Sequence, residues 1–434
     1  MKRLFTTLIA LLVALPAWAE IEIKEVTSPG GITAWLVEDH AIPFTALELR
    51  FRGGTSLDDP EKRGAVYLMS GLIEEGAGDM DARSYARELE ALAASFSYNA
   101  SDDTVSISAR FLTENRDEVT DLLRTTIHEP RFDQDAVERV KAQILSGLKS
   151  DANDPNDIAG LSFSAMAYGD HPYGSEGKGT IDSVSALTRD DVVEAYDNVF
   201  AKDRLYVGAV GDITAEELGV LLDKLLADLP DSTKPIPGKA EVSIEGGVTV
   251  VDFDTPQSVA LFAQKGIDRD DPDFFAAYIL NHILGGGGFE SRLMQEVREK
   301  RGLTYGVGTY LVPKDLASVY IGSVSSSNDR IAEAVEVIRS EWARAADEGV
   351  TQKELDDAKT YLTGAYPLRF DGNGQIAGIM VGMQMEGLPI DYIATRNDQV
   401  NAVTLEDVNR VASELLDPEG LHFTVVGQPV GLDG

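Results

Sequence analysis

The stretch NHILGGGGFESRLMQEVREKRGLTYGV, residues 281–307, places four consecutive glycines, Gly285 to Gly288, between two segments with the apolar spacing of helices. One glycine is enough to end a helix, so the other three need a different reason. Glycine has no Cβ, and it therefore permits positive φ angles and a close approach of another chain to the backbone. The run predicts either a surface where another chain contacts bare backbone or a flexible joint between two helices.

On both sides of this stretch the chain repeats itself. Three pairs of segments match at separations of 212 to 216 residues: DDP at 58–60 and 270–272, LTRDDVVEAYDNVF (187–200) and VTLEDVNRVASELL (403–416), and LYVGAVG (205–211) and LHFTVVG (421–427). Segments that keep their order, their spacing and their type of element indicate an internal duplication.

The duplication predicts two homologous domains, residues 20–230 and 244–434, joined by a polar, proline-containing linker at 231–243. Within each half, runs of strands are followed by helices without a strict βαβ rhythm. The alternation in TVSISARFL (104–112) is typical of a half-buried strand, and apolar residues at helical spacing predict a helix around 133–150. We therefore expect an α+β fold in which each domain is a largely antiparallel sheet layered with helices.

Composition excludes several classes of function. The 434 residues carry a formal net charge of −35 and no cysteine. The excess of carboxylates repels phosphate backbones and anionic lipids, so we expect neither nucleic acid nor a membrane as a partner. Without cysteine the fold has no disulfide, no thiolate metal site and no thiol nucleophile.

Residues 1–19 have the pattern of a secretory signal peptide. Lys2 and Arg3 precede an apolar run from Leu4 to Leu15, and Ala17-Trp18-Ala19 fits a cleavage site. We expect the protein to be exported and cleaved, with a bacterial periplasm as its location and outright secretion as the alternative.

The segment LGGGGFESRLMQEVREKRGLTYGV (284–307) resembles the C-terminal signature of the pitrilysin/insulysin zinc peptidase family, which includes the mitochondrial processing peptidase. That signature is a glycine-rich turn, a helix ending in R-E-K-x-G-L and a strand that starts with tyrosine. The duplication and the stretch HPYGSEGKGTIDSV (171–184) extend the resemblance over nearly the whole chain after residue 19. The resemblance implies duplicated α/β-layer domains and, in active members, peptide cleavage with one zinc ion.

In that family an H-x-x-E-H motif on the first long helix and a more distant glutamate hold the zinc and activate water. The equivalent stretch, RGAVYLMSGLIEEG (63–76), places Tyr67, Ser70 and Gly71 at the motif positions, and the distant glutamate falls at or near Gly147. The three motif positions share one helix face. A phenol, a hydroxyl and a bare glycine cannot hold zinc, so we expect no metal site in this chain and no peptidase activity of the chain alone.

The resemblance also implies a division of labour between two chains. In such pairs one chain keeps the zinc site, and the other supplies an arginine and a tyrosine, seven residues apart, from its C-terminal half. These residues are Arg298 and Tyr305 here, and the resemblance assigns them transition-state stabilisation in trans. It assigns Gly285–Gly288 contact with the peptide substrate or hinge motion. We therefore predict a non-catalytic subunit of a heterodimeric periplasmic zinc peptidase, with zinc as the cofactor of a homologous partner subunit only.

Simpler interpretations exist for the same residues. Arg298 in a last helical turn before Gly302 complements the helix dipole, and Tyr305 is then a packed strand aromatic. His282, a lone histidine on a mostly apolar helix, is expected to be a core residue rather than a ligand. The rival function is a stand-alone peptide-binding or scaffold protein without catalysis, and a homodimer fits either function.

Overall fold

The computed structural model describes residues 21–432, and the predicted signal peptide at residues 1–19 lies outside the described residues. Within residues 21–432, no helix combines the length and the apolar character needed to span a bilayer. The strands are β1 (Lys24–Thr27), β2 (Thr33–Glu38), β3 (Phe44–Arg52), β4 (Gly76–Ala77), β5 (Met80–Asp81), β6 (Ser95–Ala100), β7 (Thr104–Leu112), β8 (Leu205–Gly211), β9 (Gly247–Asp252), β10 (Gln257–Lys265), β11 (Val307–Pro313), β12 (Ser318–Ser327) and β13 (His422–Gly427).

Both halves of the described chain contain α-helices, α1–α8 in the first half and α9–α14 in the second. The α-helices are α1 (Ala65–Leu72), α2 (Ala82–Ala91), α3 (Arg116–His128), α4 (Gln134–Asp151), α5 (Pro155–Tyr168), α6 (Ile181–Ala186), α7 (Arg189–Val199), α8 (Ala215–Leu226), α9 (Phe274–Asn281), α10 (Ile331–Glu348), α11 (Gln352–Ala365), α12 (Asn373–Met385), α13 (Tyr392–Ala402) and α14 (Leu405–Leu415).

The first half is built on a six-stranded sheet in the order β1-β2-β8-β3-β7-β6, antiparallel except for the parallel pair β2 and β8. Leu49 in β3 lies opposite Ile107 in β7 and Val207 in β8, so all three side chains point into one core. Helices α1, α3, α4, α7 and α8 contribute apolar residues to this core and cover one face of the sheet.

The second half repeats this arrangement in a five-stranded sheet ordered β11-β12-β10-β13-β9, in which only β13 and β9 are parallel. Phe262 in β10 lies opposite Gly322 in β12 and Phe423 in β13. A Cβ at Gly322 would lie 2.3 Å from the Phe262 ring, so the glycine makes room for it. The order β9, β13, β10, β12, β11 matches β2, β8, β3, β7, β6, which confirms the expected α+β fold with two homologous, largely antiparallel domains.

The two halves exchange one helix each. Helix α5 of the first half packs on β10 and β13, where Phe163 joins a cluster with Ala263. Its counterpart α12 in the second half packs on β8 and β3, where Met380 joins a cluster with Trp35. Helix α12 lies so close to β8 that a Cβ at Gly208 would be 2.7 Å from a carbonyl oxygen of the helix. The exchange buries apolar surface between the halves and holds them together.

Between α8 and β9 the chain contains no helix or strand, and the predicted linker lies within this segment. The segment contacts both halves: Lys234 pairs with Asp59 at 2.7 Å, and the Ala240 N–H donates to the Leu316 carbonyl at 2.8 Å. The boundaries at 231 and 243 stay a prediction, because the irregular segment extends beyond them on both sides.

Candidate functional site

Helix α1, which carries the zinc-motif positions, is anchored at its N-terminus by a buried charge pair. The Asp58 carboxylate accepts hydrogen bonds from the N–H groups of Gly64 at 2.8 Å and Val66 at 2.9 Å. The Arg63 guanidinium lies 3.8 Å from Asp58 and donates to the Pro172 carbonyl at 2.8 Å. Burial raises the pKa of Asp58 to about 6, while the two N–H groups and Arg63 act in the opposite direction. These contacts hold the N-terminus of α1 in place although the helix carries no zinc ligand.

The motif positions on this helix carry no metal ligand. Tyr67 is half-buried, and the buried Ser70 hydroxyl donates to the Tyr67 carbonyl at 2.9 Å. A Cβ at Gly71 would lie 3.3 Å from a Val140 methyl on α4, so the glycine permits close packing of α1 and α4. Gly147 on α4 is exposed, and a Cβ there would meet nothing within 4 Å. These positions offer neither imidazole nor carboxylate, so they do not fit a zinc ion.

A lysine adds positive charge near the same helix. The Lys178 ammonium lies 2.9 Å from an Asp151 oxygen at the end of α4. That hydrogen bond is the main cause of the raised pKa of Lys178, and the negative charges of Asp151 and Glu176 act in the same direction. In the part of the chain that the structure describes, no three His, Cys, Asp or Glu side chains are grouped so as to hold a metal.

The four glycines each meet a different constraint. A Cβ at Gly285 would lie 2.4 Å from the Thr309 hydroxyl of β11, and one at Gly286 would lie 2.6 Å from the Asn281 amide nitrogen. A Cβ at Gly287 would lie 2.7 Å from the His282 carbonyl oxygen. Gly288 has φ of 58°, the left-handed region that glycine adopts most easily. Packing and backbone conformation thus account for all four, and contact with a substrate stays a prediction.

The glycines also interrupt regular helix geometry. The chain continues from α9 as a π-helical turn over His282–Gly286, and a second π-helical turn covers Met294–Glu299. Such turns are rare and occur frequently at functional sites. Asn281 accepts a hydrogen bond from the Thr309 hydroxyl at 2.8 Å, which ties the first turn to β11. The His282 ring stacks on Tyr361 with centroids 5.0 Å apart, and burial lowers its pKa, as expected for a packed histidine.

Arg298 lies in the second π-helical turn, close to where the helical segment ends. Gly302 has φ of 59°, and its N–H donates to the Arg298 carbonyl at 2.8 Å, which confirms the predicted helix end. The Arg298 guanidinium lies 4.5 Å above the centroid of the Phe289 ring and 3.4 Å from Glu299. This cation–π contact orients the arginine at the surface. Sequence reasoning missed Phe289, although it is a large aromatic directly after the glycine run.

Tyr305 does not lie on a strand, because β11 begins only at Val307. Its side chain is 89% exposed, so the interpretation as a packed strand aromatic is wrong. The loop that carries it is nevertheless fixed. The Thr304 hydroxyl lies 2.7 Å from the Ser325 carbonyl oxygen, and the Ser326 hydroxyl donates to the Leu303 carbonyl at 2.6 Å. An exposed side chain is thus presented by a backbone that hydrogen bonds hold in place.

Arg298 and Tyr305 line the same cleft, which has a volume of about 410 Å³. Its floor is the end of β12, and Arg330 at its rim donates to the carbonyl oxygens of Gly302 and Arg301, both at 3.0 Å. The structure therefore brings together the two residues that the resemblance paired. The cleft offers hydroxyl and guanidinium donors and, with one glutamate against two arginines, suits a partial negative charge.

Among residues 21–432, β6 at one end of the first sheet and β11 at one end of the second each pair with a single strand. In β6 the residues Ser95, Ser97 and Asn99 are exposed and alternate with half-buried Phe96 and Tyr98. An unpaired edge of this kind can bind an extended peptide as an additional strand.

Two protein-family models match this chain. Residues 34–180 match the model described as Insulinase (Peptidase family M16), and residues 186–362 match Peptidase M16 inactive domain. The matched ranges fall on either side of residue 185 and together cover the α1–α4 pair and the Arg298–Tyr305 cleft.

Individual proteins are similar over nearly the full length. A Helicobacter pylori protein named "Non-peptidase homolog YmxG" is 28% identical over 431 residues, 98% of each chain. An "Uncharacterized zinc protease" of Streptomyces coelicolor is 25% identical over 411 residues, 91% of this chain and 87% of that protein. The crystal structure of a peptidase M16 inactive domain from Pseudomonas fluorescens superposes with a TM-score of 0.88 at 28% identity, covering 95% of this chain and 99% of that one.

Proposed function

The chain belongs to the peptidase M16 family, and from this premise we propose that it is the non-catalytic subunit of a heterodimeric zinc peptidase. The proposal is supported by one contrast within the chain. Tyr67 and Gly71 stand at the two histidine positions of the motif, Ser70 stands at the position of the general base, and the third zinc ligand falls at or near Gly147. Arg298 and Tyr305, by contrast, line one cleft. A homologous chain with H-x-x-E-H supplies the metal and the general base in this proposal.

The chemistry of peptide hydrolysis explains what the cleft contributes. Negative charge develops on the oxygen of the scissile carbonyl as it is attacked, and donors aimed at that oxygen lower the barrier. The Tyr305 hydroxyl and the Arg298 guanidinium are such donors. Because the Tyr305 loop is held by hydrogen bonds from the Thr304 and Ser326 hydroxyls to backbone carbonyls, little reorganisation is needed when the substrate arrives.

The free sheet edges give the substrate a place to bind. A peptide that adds to β6 or β11 is recognised mainly through its backbone, so sequence selectivity depends on the side chains beside the strand. Tyr310 in β11 is 62% exposed and available for such contacts.

The test begins with the partner. A homologous chain of similar length that carries H-x-x-E-H is sought among the neighbouring genes and co-expressed with this chain. We expect the pair to cleave oligopeptides and each chain alone to cleave none. In the pair, Tyr305→Phe lowers kcat/KM by about 100-fold, since one oxyanion donor is lost.

Tyr361→Phe is the matched control, because it removes the hydroxyl of another exposed tyrosine that neither lines the cleft nor lies on β11. Arg301→Ala serves the same purpose for Arg298, since Arg301 pairs with Glu296 at 2.8 Å instead of lining the cleft. Equal activity of the Tyr305→Phe and Tyr361→Phe pairs contradicts the proposed role in trans.

The alternative is a stand-alone peptide-binding or scaffold protein. It is favoured by the accessible edge of β6, which needs no second chain to bind an extended peptide. Saturable peptide binding by the isolated chain, together with no change in activity of any H-x-x-E-H homologue on mixing, distinguishes this function from the first. A homodimer fits both functions and is detected by its mass in solution.

We propose a periplasmic location on the basis of the signal-peptide pattern in residues 1–19. Cell fractionation and N-terminal sequencing test it, with a mature chain that begins at Glu20 as the expected result. A chain that keeps Met1 and stays in the cytoplasm contradicts it.

A further inference from the structure

A second cavity, of about 550 Å³, lies in the second half, between α9, the turn Tyr366–Arg369, α12 and α13. It shares no lining residue with the Arg298–Tyr305 cleft. Six aromatic side chains line it, those of Phe274, Phe275, Tyr278, Tyr366, Phe370 and Tyr392. An aromatic cavity of this size fits a ligand of one or two rings.

Arg396 is the most deeply buried charged group in this cavity, with 4% of its surface exposed. Its guanidinium donates to the Leu362 carbonyl at 2.9 Å and to the Asn397 side-chain oxygen at 3.0 Å. It also lies 4.5 Å from the centroid of the Tyr366 ring. Within the described residues, no Asp or Glu oxygen lies within the 4.0 Å of an ion pair with Arg396. A buried cation with neutral acceptors only is costly, and an anionic ligand would offset that cost.

Two further arginines line the same cavity. Arg269 pairs with Glu386 at 3.1 Å, donates to the Tyr392 hydroxyl at 2.7 Å and lies 4.2 Å above the Phe274 ring. Arg369 is exposed at the end of the turn.

All three arginines affect the pKa of Tyr366. Burial raises the pKa of Tyr366 to about 12, and the positive charges of Arg396, Arg369 and Arg269 act in the opposite direction. All three arginines line the cavity together with Tyr366, and the Arg396 guanidinium lies against the Tyr366 ring.

The charge of the cavity is opposite to that of the whole chain. Three arginines face a single carboxylate, that of Glu386, in a protein with a formal net charge of −35. We propose that this cavity binds a carboxylate attached to an aromatic group, either the C-terminal residue of a peptide or a free aromatic acid. The guanidinium groups bind the carboxylate, and the aromatic walls pack against the ring.

Calorimetric titration of the purified full-length mature chain tests this. The probes are N-acetyl-phenylalanine and its amide, which differ only in the carboxylate, and the tetrapeptide Ala-Ala-Ala-Phe as free acid and as amide. We expect saturable binding of the acids with one site per chain, and binding of the amides weaker by about tenfold or more, because a charge-assisted contact is lost. A tetrapeptide acid that binds as tightly as the small acid identifies peptide C-termini as the ligand. Binding of the small acid alone identifies free aromatic acids.

Variants locate the site. Arg369→Gln removes an exposed charge without disturbing the core, and it weakens binding by about tenfold, whereas Arg369→Lys keeps part of the affinity. Lys353→Gln is the matched control: it also removes one positive charge, from a side chain that is 84% exposed and does not line the cavity.

Three results overturn the proposal. They are equal binding of acid and amide, no saturation of the acids up to about 10 mM, and unchanged binding in Arg369→Gln. A fourth result also contradicts it: inorganic phosphate that binds as tightly as N-acetyl-phenylalanine. The aromatic group would then contribute nothing to binding.

Discussion

The α1–α4 pair in the first half and the Arg298–Tyr305 cleft in the second half differ in what their side chains are free to do. Gly71 and Gly147 have no side chain, and the Ser70 hydroxyl bonds within its own helix. In the cleft, by contrast, Tyr305 is 89% exposed on a fixed loop, and Arg298 is oriented by an aromatic ring.

The difference shows that a scaffold and its chemistry are held by different residues. Leu68, Met69 and Leu72 on α1 are fully buried, and they keep the helix in place whatever stands at the motif positions. Nothing in the packing of the second half requires a tyrosine with an exposed ring before β11. The first half thus keeps the packed helix α1 without zinc ligands, and the second half presents the donor groups of Arg298 and Tyr305 in a cleft. This combination fits the proposal that the chain completes the site of another chain.

The largest expected effect separates the two regions by activity. In the reconstituted pair, Arg298→Ala lowers kcat/KM by about 100-fold or more, because a charged donor to the developing oxyanion is removed. Ser70→Ala changes kcat/KM by less than about twofold, since its hydroxyl bonds only to its own helix. Steady-state kinetics on one fluorogenic peptide measures both variants. Equal losses in the two variants would remove the distinction between the regions.

A smaller effect is expected on stability at the glycine run. Gly285→Ala places a Cβ 2.4 Å from the Thr309 hydroxyl, and the required shift of β11 lowers the free energy of unfolding by about 1–3 kcal/mol. Urea denaturation measures the change. The control introduces Gly285→Ala into Thr309→Ala and compares the double variant with Thr309→Ala alone, because Thr309→Ala by itself loses the hydrogen bond to Asn281. An equal loss of stability on adding Gly285→Ala to either background indicates that helix geometry, not Thr309, is the constraint.

A pH-dependent effect of about 1 kcal/mol is expected where α11 meets the glycine-rich segment. The Glu354 carboxylate accepts from Arg292 at 2.7 Å and 2.8 Å and caps α11. Burial acts to raise its pKa, but the bonds from Arg292 and Thr351 prevail and lower it from 4.5 to about 2. A lowered folded-state pKa stabilises the fold above pH 4.5, and this stabilisation is lost as the pH falls towards 2.

Glu354→Gln therefore lowers the free energy of unfolding at pH 7, and its difference from the wild type shrinks at pH 4 and below. Lys353→Gln, which alters a neighbouring exposed pair, is the control and leaves the pH profile unchanged. A difference between Glu354→Gln and wild type that is the same at pH 7 and pH 3 contradicts the assigned ionisation.

The smallest expected effect is a gain. Gly147→Ala in the exposed interior of α4 meets no atom within 4 Å and raises the free energy of unfolding by about 0.5–1 kcal/mol, because alanine favours the helix. Thermal unfolding measures it. A loss of stability would show that the glycine at position 147, at or near which the family's distant glutamate falls, has a structural role.

The sequence predicted the elements whose signal is local. Periodicity placed the strand at 104–112, where β7 lies, and the helix at 133–150, where α4 covers Gln134–Asp151. The matching segments 212 to 216 residues apart predicted two homologous domains, and the two sheets have the same strand order. The helix end was predicted from Gly302 alone, and this glycine has φ of 59° in the structure.

The remaining features depend on residues far apart in the chain. The apolar residues of α12 predict that one face is buried, but they do not indicate against which sheet the helix packs. The exchange of α5 and α12 was therefore not predicted. The constraint on Gly285 comes from Thr309, which no helical or strand pattern links to it. The family signature implies a strand that starts with Tyr305, but β11 begins at Val307, and the bonds of Thr304 and Ser326 hold Tyr305 in a loop.

The central claim is that this chain cannot hold the catalytic metal. The direct measurement is the zinc content of the purified mature chain after gel filtration, determined together with cleavage of an oligopeptide. We predict well under one zinc per chain, about 0.1 or less, because Tyr67 and Gly71 occupy the histidine positions and the third ligand falls at or near Gly147. We also predict no cleavage, because Ser70 replaces the general base. One tightly bound zinc per chain, with cleavage that a chelator abolishes, would contradict the account.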